Sequence, residues 1–111
     1  MELRKLTPDE ERLIIALLGK AIGLSYDKSL ISNLLVKQME DGSMGSLRLY
    51  PNGVDEGGRK FGLQVSEIQF TDTDGTIVLA SLYVDNLNQL YEVDIWKTDF
   101  SPLIKISENF L

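Results

Sequence analysis

The chain predicts an α+β fold, with an amino-terminal helix and a short second one packed on an antiparallel meander sheet of about four strands. Three observations carry this expectation. A capped amphipathic pattern opens near Thr7. From Val65 to Phe100 the chain reads as three successive strands joined by two short turns. The middle strand is apolar on both alternating faces, with Ile77, Leu79 and Tyr83 on one and Val78, Ala80, Leu82 and Val84 on the other. Such a strand is either covered on both sides or offers one side to a partner.

Thr7-Pro8-Asp9-Glu10 is a helix opening. The Thr7 hydroxyl can accept from the Glu10 amide, Glu10 can reach back, and proline suits the first helical position. Asp9, Glu10 and Glu11 complement the positive end of the helix dipole. Leu13, Ile14, Leu17, Leu18 and Ala21 then recur at three- and four-residue spacing as one apolar stripe, with Gly23 as a stop. Leu30, Ile31, Leu34 and Leu35 fit a short second helix capped by Asp27 or Ser29, running into an extended segment over Val36–Met39 that alternates like the beginning of a strand. Asp41-Gly42-Ser43-Met44-Gly45 is turn chemistry, Ser46–Tyr50 alternates as a strand, and residues 51–60 form a polar loop.

The meander has a testable register. Asp74-Gly75 reads as a tight hairpin turn, which puts Ile68 and Phe70 on the face of Ile77 and Leu79. A loop of three or five residues after Asp85 adds Tyr91, Val93 and Ile95 to that face, the floor for the helix. Val78, Ala80, Leu82, Val84, Leu90 and Trp96 then share the second face with Glu67, Gln69, Glu92 and Asp94. A one-residue slip would invert any strand. After Ser101-Pro102, Leu103–Ile106 makes an edge strand or a strap.

With 111 residues the chain is one domain of ordinary globular composition, 43% hydrophobic and 25% charged. It has neither cysteine nor histidine. Thiolate chemistry, disulfides and the commonest general base are thereby excluded. Met1-Glu-Leu-Arg-Lys precedes no signal-like apolar run, and no stretch is long enough to span a membrane, so the expected location is cytoplasmic. The net charge of −6 is uneven: residues 1–60 hold nine acids and nine bases, whereas residues 61–111 hold eight acids against Lys97 and Lys105. An acidic half repels nucleic acid and steers basic partners toward it.

No catalytic set, cofactor motif or metal-ligand spacing stands out. Asp72-Thr73-Asp74-Gly75 lacks the later ligands of a calcium loop and reads as a turn. Asp41–Ser46 lacks the lysine and following helix of a phosphate cradle. Glu92 and Asp94, two apart on one strand, could serve a small enzyme as paired carboxylates if a cleft separated their environments. The lone Trp96 beside Asp94 suits an interface anchor, unless it packs beneath the second helix or the strap. The candidate surface is therefore Trp96, Glu92, Asp94 and Glu67, extended by Arg48 and Tyr50. It is expected to bind a basic protein partner, or a second copy of the chain, with no cofactor, metal, nucleic acid or membrane involved.

The segments Asp41–Leu47 and Leu90–Leu103, with its Asp-Ile-Trp-Lys-Thr-Asp-Phe run, together with the Thr7–Leu13 opening, resemble a family of small bacterial proteins catalogued as a domain of unknown function. The similarity spans nearly the whole chain and implies no activity. Small acidic proteins of this build include antidotes to basic toxins, the most concrete form the binding expectation takes.

Overall fold

A computed structural model describes residues 3–21, 29–54 and 57–110. Helix α1 spans Pro8–Lys20, and a single turn α2 spans Ser29–Ser32. The strands are β1 Leu35–Gln38, β2 Leu47–Tyr50, β3 Phe61–Thr71, β4 Ile77–Asp85 and β5 Leu90–Lys97. They form one antiparallel sheet in the order β1-β2-β5-β4-β3. The fold is therefore α+β, with five strands where about four were expected. The added one is β1, which falls on the extended segment expected after the second helix and takes Leu35 from that helix, itself only one turn long. Nor is the sheet a simple meander. β1 and β2 follow one another, as do β3, β4 and β5, but β2 lies beside β5 in a Greek-key arrangement.

The helix opens as its residues dictate. Thr7 Oγ1 accepts from the Glu10 amide at 3.1 Å, and Glu10 Oε1 accepts from the Thr7 amide at 2.9 Å. Glu10 also takes a two-pronged salt bridge from Arg4, whose backbone bridges Val36 at the β1 edge. The helix ends at Ala21, whose amide donates to the Leu18 carbonyl. The expected stop at Gly23 and cap at Asp27 lie outside the described residues. Leu13, Ile14, Leu17 and Leu18 are buried on one face of the sheet. Each such side chain contributes about 1.5–3 kcal/mol by leaving water. No described helix is long and apolar enough to cross a membrane.

The register departs from expectation at two points. Thr71 pairs with Ile77, so the β3–β4 connection holds residues 72–76 instead of a two-residue turn. Asp72 donates its amide to Thr76 and accepts from Gly75. That change of one inverts β4: Val78, Ala80, Leu82 and Val84 face the helix and are fully buried, while Ile77, Leu79 and Tyr83 face outward. The β4–β5 turn is odd in length as expected, with Asp85 donating to Gln89, but a bulge at Tyr91 shifts the ladder between Val84↔Leu90 and Tyr83↔Glu92. Leu90 therefore points in and Tyr91 out, the reverse of the expected assignment. The two shifts cancel beyond the bulge. Ile68, Phe70, Val93 and Ile95 line the core as expected, and Trp96 lies on the face away from the helix, opposite Leu79.

Gly62 marks another bulge, in β3. A Cβ there would lie 2.7 Å from the Asp85 carbonyl carbon, so the close approach of strands demands glycine. The carboxy-terminal residues form a strap without strand pairing. Leu103 donates to the Ser43 carbonyl, Arg12 donates to the Ile106 and Ser107 carbonyls, and Phe110 meets Phe70 edge-on at 5.8 Å.

Candidate functional site

The helix and strap occupy one side of the sheet. The other side carries Arg48 and Tyr50 from β2, Glu92, Asp94 and Trp96 from β5, Ile77, Leu79 and Tyr83 from β4, and Glu67 from β3. Pleating alone sends these alternate residues to one face. All six candidate residues thus share it, although they do not share one environment.

At its centre the ladder sets Glu67 opposite Ser81 and Ser81 opposite Asp94, with Tyr83 opposite Glu92. Burial raises the Tyr83 phenol above its ordinary pKa, and the fields of Asp94, Glu92 and Glu67 push it the same way against a hydrogen bond from Ser81. The charges of three carboxylates from two strands therefore act in the same direction on one phenol. Glu67 and Asp94 are exposed; Glu92 is half-buried and accepts from Arg48 at 3.2 Å.

Toward β2 the surface changes character. The Arg48 guanidinium lies 4.4 Å from the Tyr91 ring centroid, and Tyr50 is buried, with Lys37 and Arg59 over its ring. Arg59 escaped the sequence reading. Its Nε donates to Asp85 at 3.0 Å, and its two Nη groups donate to the carbonyls of Leu49 and Leu90. The paired register between β2 and β5 covers only Leu47↔Val93 and Arg48↔Glu92. Where the Tyr91 bulge parts these strands, the planar fork of Arg59 takes up carbonyls that the ladder leaves over. Tyr50 and Arg59 are thus framework at this end, and Arg48 is the candidate residue that reaches the surface.

At the opposite end Trp96 is 39% exposed, beside the Ile77 and Leu79 positions of β4, and its ring lies 5.9 Å from that of Phe100. It packs under neither α2 nor the strap. The next residue behaves oppositely. Lys97 is fully buried, donating to Asp72 at 2.9 Å, Asp74 at 2.7 Å and the Pro102 carbonyl at 3.1 Å. Asp72 also accepts from the amides of Thr73, Ile104 and Lys105. Burial alone would raise its pKa, but the Ile104 amide, Lys97 and the other donors hold it at about 2. Alternation along β5 puts Lys97 on the face of Val93 and Ile95, and an inward lysine is the signal that could have found a buried acidic partner.

Chemically, the face offers partly exposed aromatic rings and exposed carboxylates. Glu92 and Asp94 stand on a sheet surface and not across a cleft. A hollow of about 370 Å³ lies elsewhere, lined by residues including Leu6, Ile15 and Leu34. Among the described residues no three acidic side chains gather closely enough to hold a metal ion.

The model of a domain of unknown function, DUF6984, matches residues 3–107. The chain belongs to the DUF6984 family. That description assigns no activity, and no curated protein and no solved structure matches the chain. For this DUF6984 protein the outer face therefore has to be read from its own residues.

Proposed function

We propose that the chain is a non-enzymatic protein-binding module whose outer sheet face docks a basic protein partner. The observation that carries this reading is an apolar and acidic surface left uncovered on the outer side of the sheet: Trp96, Ile77 and Phe100 are exposed alongside Glu67 and Asp94. Contiguous apolar surface rimmed by polar groups marks interaction sites, and a tryptophan there is a favoured anchor. The charge asymmetry supports a basic partner. Within residues 61–111 the salt bridges engage Asp72, Asp74, Asp85 and Glu92, while Glu67, Asp94 and Asp99 remain exposed, and burial withdraws Lys97 from the surface. An antidote to a basic toxin is one form of this activity.

The test uses a protein captured by the tagged chain, repurified, and titrated by calorimetry against wild type and Trp96→Ala/Asp94→Lys. Loss of an anchor and reversal of a charge are expected to weaken binding at least ~30-fold, the equivalent of about 2 kcal/mol. An unchanged affinity in a folded variant removes this face as the interface. Sedimentation of the chain alone tests the competing occupant, a second copy: a dimer lost in the double variant would assign the face to self-association.

A further inference from the structure

Six glycines among the described residues have positive φ, and only three other residues do: Ser43, Asn88 and Phe100. Serine and asparagine are small and polar, and asparagine tolerates the left-handed region well. Phe100, at φ 63°, is a bulky residue in a conformation that any Cβ makes costly. The turn itself explains the backbone. Phe100 donates its amide to the Lys97 carbonyl at 2.8 Å, closing the reversal that carries the chain from β5 into the strap. A glycine would serve that turn at least as well.

Nor does the core explain the side chain. Phe100 is 69% exposed, and its ring contact is with Trp96, itself on the outer face. Strain held at an exposed aromatic points to a use for the ring outside the fold. Two rings tilted 55° to each other form a shallow apolar corner. Asp94 stands two residues before Trp96 on the same face, and Asp99 immediately precedes Phe100; both are exposed carboxylates.

We infer that Trp96 and Phe100, with Asp94 beside them, receive an arginine side chain of the partner. A guanidinium stacks on aromatic faces and offers a planar fork to a carboxylate, which a lysine ammonium does not. This inference rests on the proposed docking role and adds the chemistry of the contact.

Trp96 is the sole tryptophan, so intrinsic fluorescence reports on the site directly. The probe is the blocked peptide acetyl-Gly-Arg-Gly-Arg-Gly-amide, with its lysine and glutamate counterparts as controls. Wild type should show a saturable change with the arginine peptide, at least fivefold weaker affinity for the lysine peptide, and no response to the glutamate peptide. Phe100→Gly should weaken arginine binding at least fivefold while its Tm equals or exceeds that of wild type. Phe100→Ala, which keeps the backbone strain and removes the ring, should weaken binding equally and melt below Phe100→Gly. Undiminished arginine binding in Phe100→Gly, or a Tm well below wild type, overturns the assignment. Silence of wild type toward the arginine peptide also overturns it. If Trp96→Ala/Asp94→Lys still loses the captured partner, the docking face survives and only the arginine assignment falls.

Discussion

Trp96 and Lys97 are neighbours on one strand, and each occupies the environment that suits the other's chemistry. The indole is 39% exposed on the outer face, while the ammonium is wholly enclosed on the inner one. The lysine can be buried because it is saturated: two carboxylates and a carbonyl take its three protons. Those same groups tie the β3–β4 turn, the end of β5 and the strap into one knot. Nothing comparable encloses the tryptophan. One side of β5 thus commits its polar chemistry to holding the chain together, and the other presents exposed apolar and acidic groups.

The contrast is broken most severely by removing one member of the knot. Asp72→Ala leaves Lys97 buried beside one remaining carboxylate and orphans the Ile104 and Lys105 amides, at a cost of about 3–5 kcal/mol in urea denaturation. Trp96→Ala, which removes a partly exposed ring, should cost much less. Equal losses would mean that the outer face is as structural as the inner one. Acid attacks the same point. Asp72 has a folded pKa of about 2, depressed from an ordinary 3.8. Its contribution is therefore complete above pH ~4 and is lost as the pH falls from there toward 2. Wild type should show this acid limb, and Asp72→Ala should show a shallower one.

Arg59→Ala is the next largest expected effect. It strands Asp85, which is almost fully buried, and leaves the Leu49 and Leu90 carbonyls without their guanidinium donors. The loss should be about 2–3 kcal/mol, with Arg59→Lys recovering only part because an ammonium lacks the fork. If Arg59→Ala melted like wild type, the cationic–aromatic end of the outer face would be free surface and not framework, and the division drawn here between the two ends of that face would fail.

How much of this was legible in the sequence depended on what each signal could discriminate. The helix was readable because Thr7, Glu10 and the stripe from Leu13 to Leu18 all specify the same element. The far ends of β3 and β5 were readable because Ile68 and Phe70 alternate with Glu67 and Gln69, and Val93 and Ile95 with Glu92 and Asp94. The middle strand offered no such contrast. With both its series apolar, its orientation hung on the turn, and Asp74-Gly75 resembles a two-residue turn although Asp72 and Thr76 close a longer one. The Tyr91 bulge was equally silent, since the guanidinium that takes up the spare carbonyls beside it belongs to Arg59, far away in the chain. The β1 strand is only four residues long and pairs with β2 at the sheet margin. Of the candidate site, Trp96, Glu92, Asp94, Glu67 and Arg48 were placed on the correct face. Tyr50 reached that face but not the surface, because Lys37 and Arg59 lie over its ring.

The gentlest probe of the outer face is electrostatic. Asp94→Asn removes a charge from an exposed side chain and should change stability by less than ~0.5 kcal/mol. The Tyr83 phenol, raised by burial and then by Asp94, should nonetheless titrate lower in the variant. It will not return fully to its ordinary value, since burial and the fields of Glu92 and Glu67 persist. Carbon-13 shifts of the labelled tyrosine ring followed against pH would measure this, with Glu67→Gln producing a smaller change of the same sign because Glu67 is the weakest of the three contributors. A Tyr83 titration indifferent to Asp94 would mean that the carboxylates do not share a field on this surface, and the acidic half of the docking argument would have no centre.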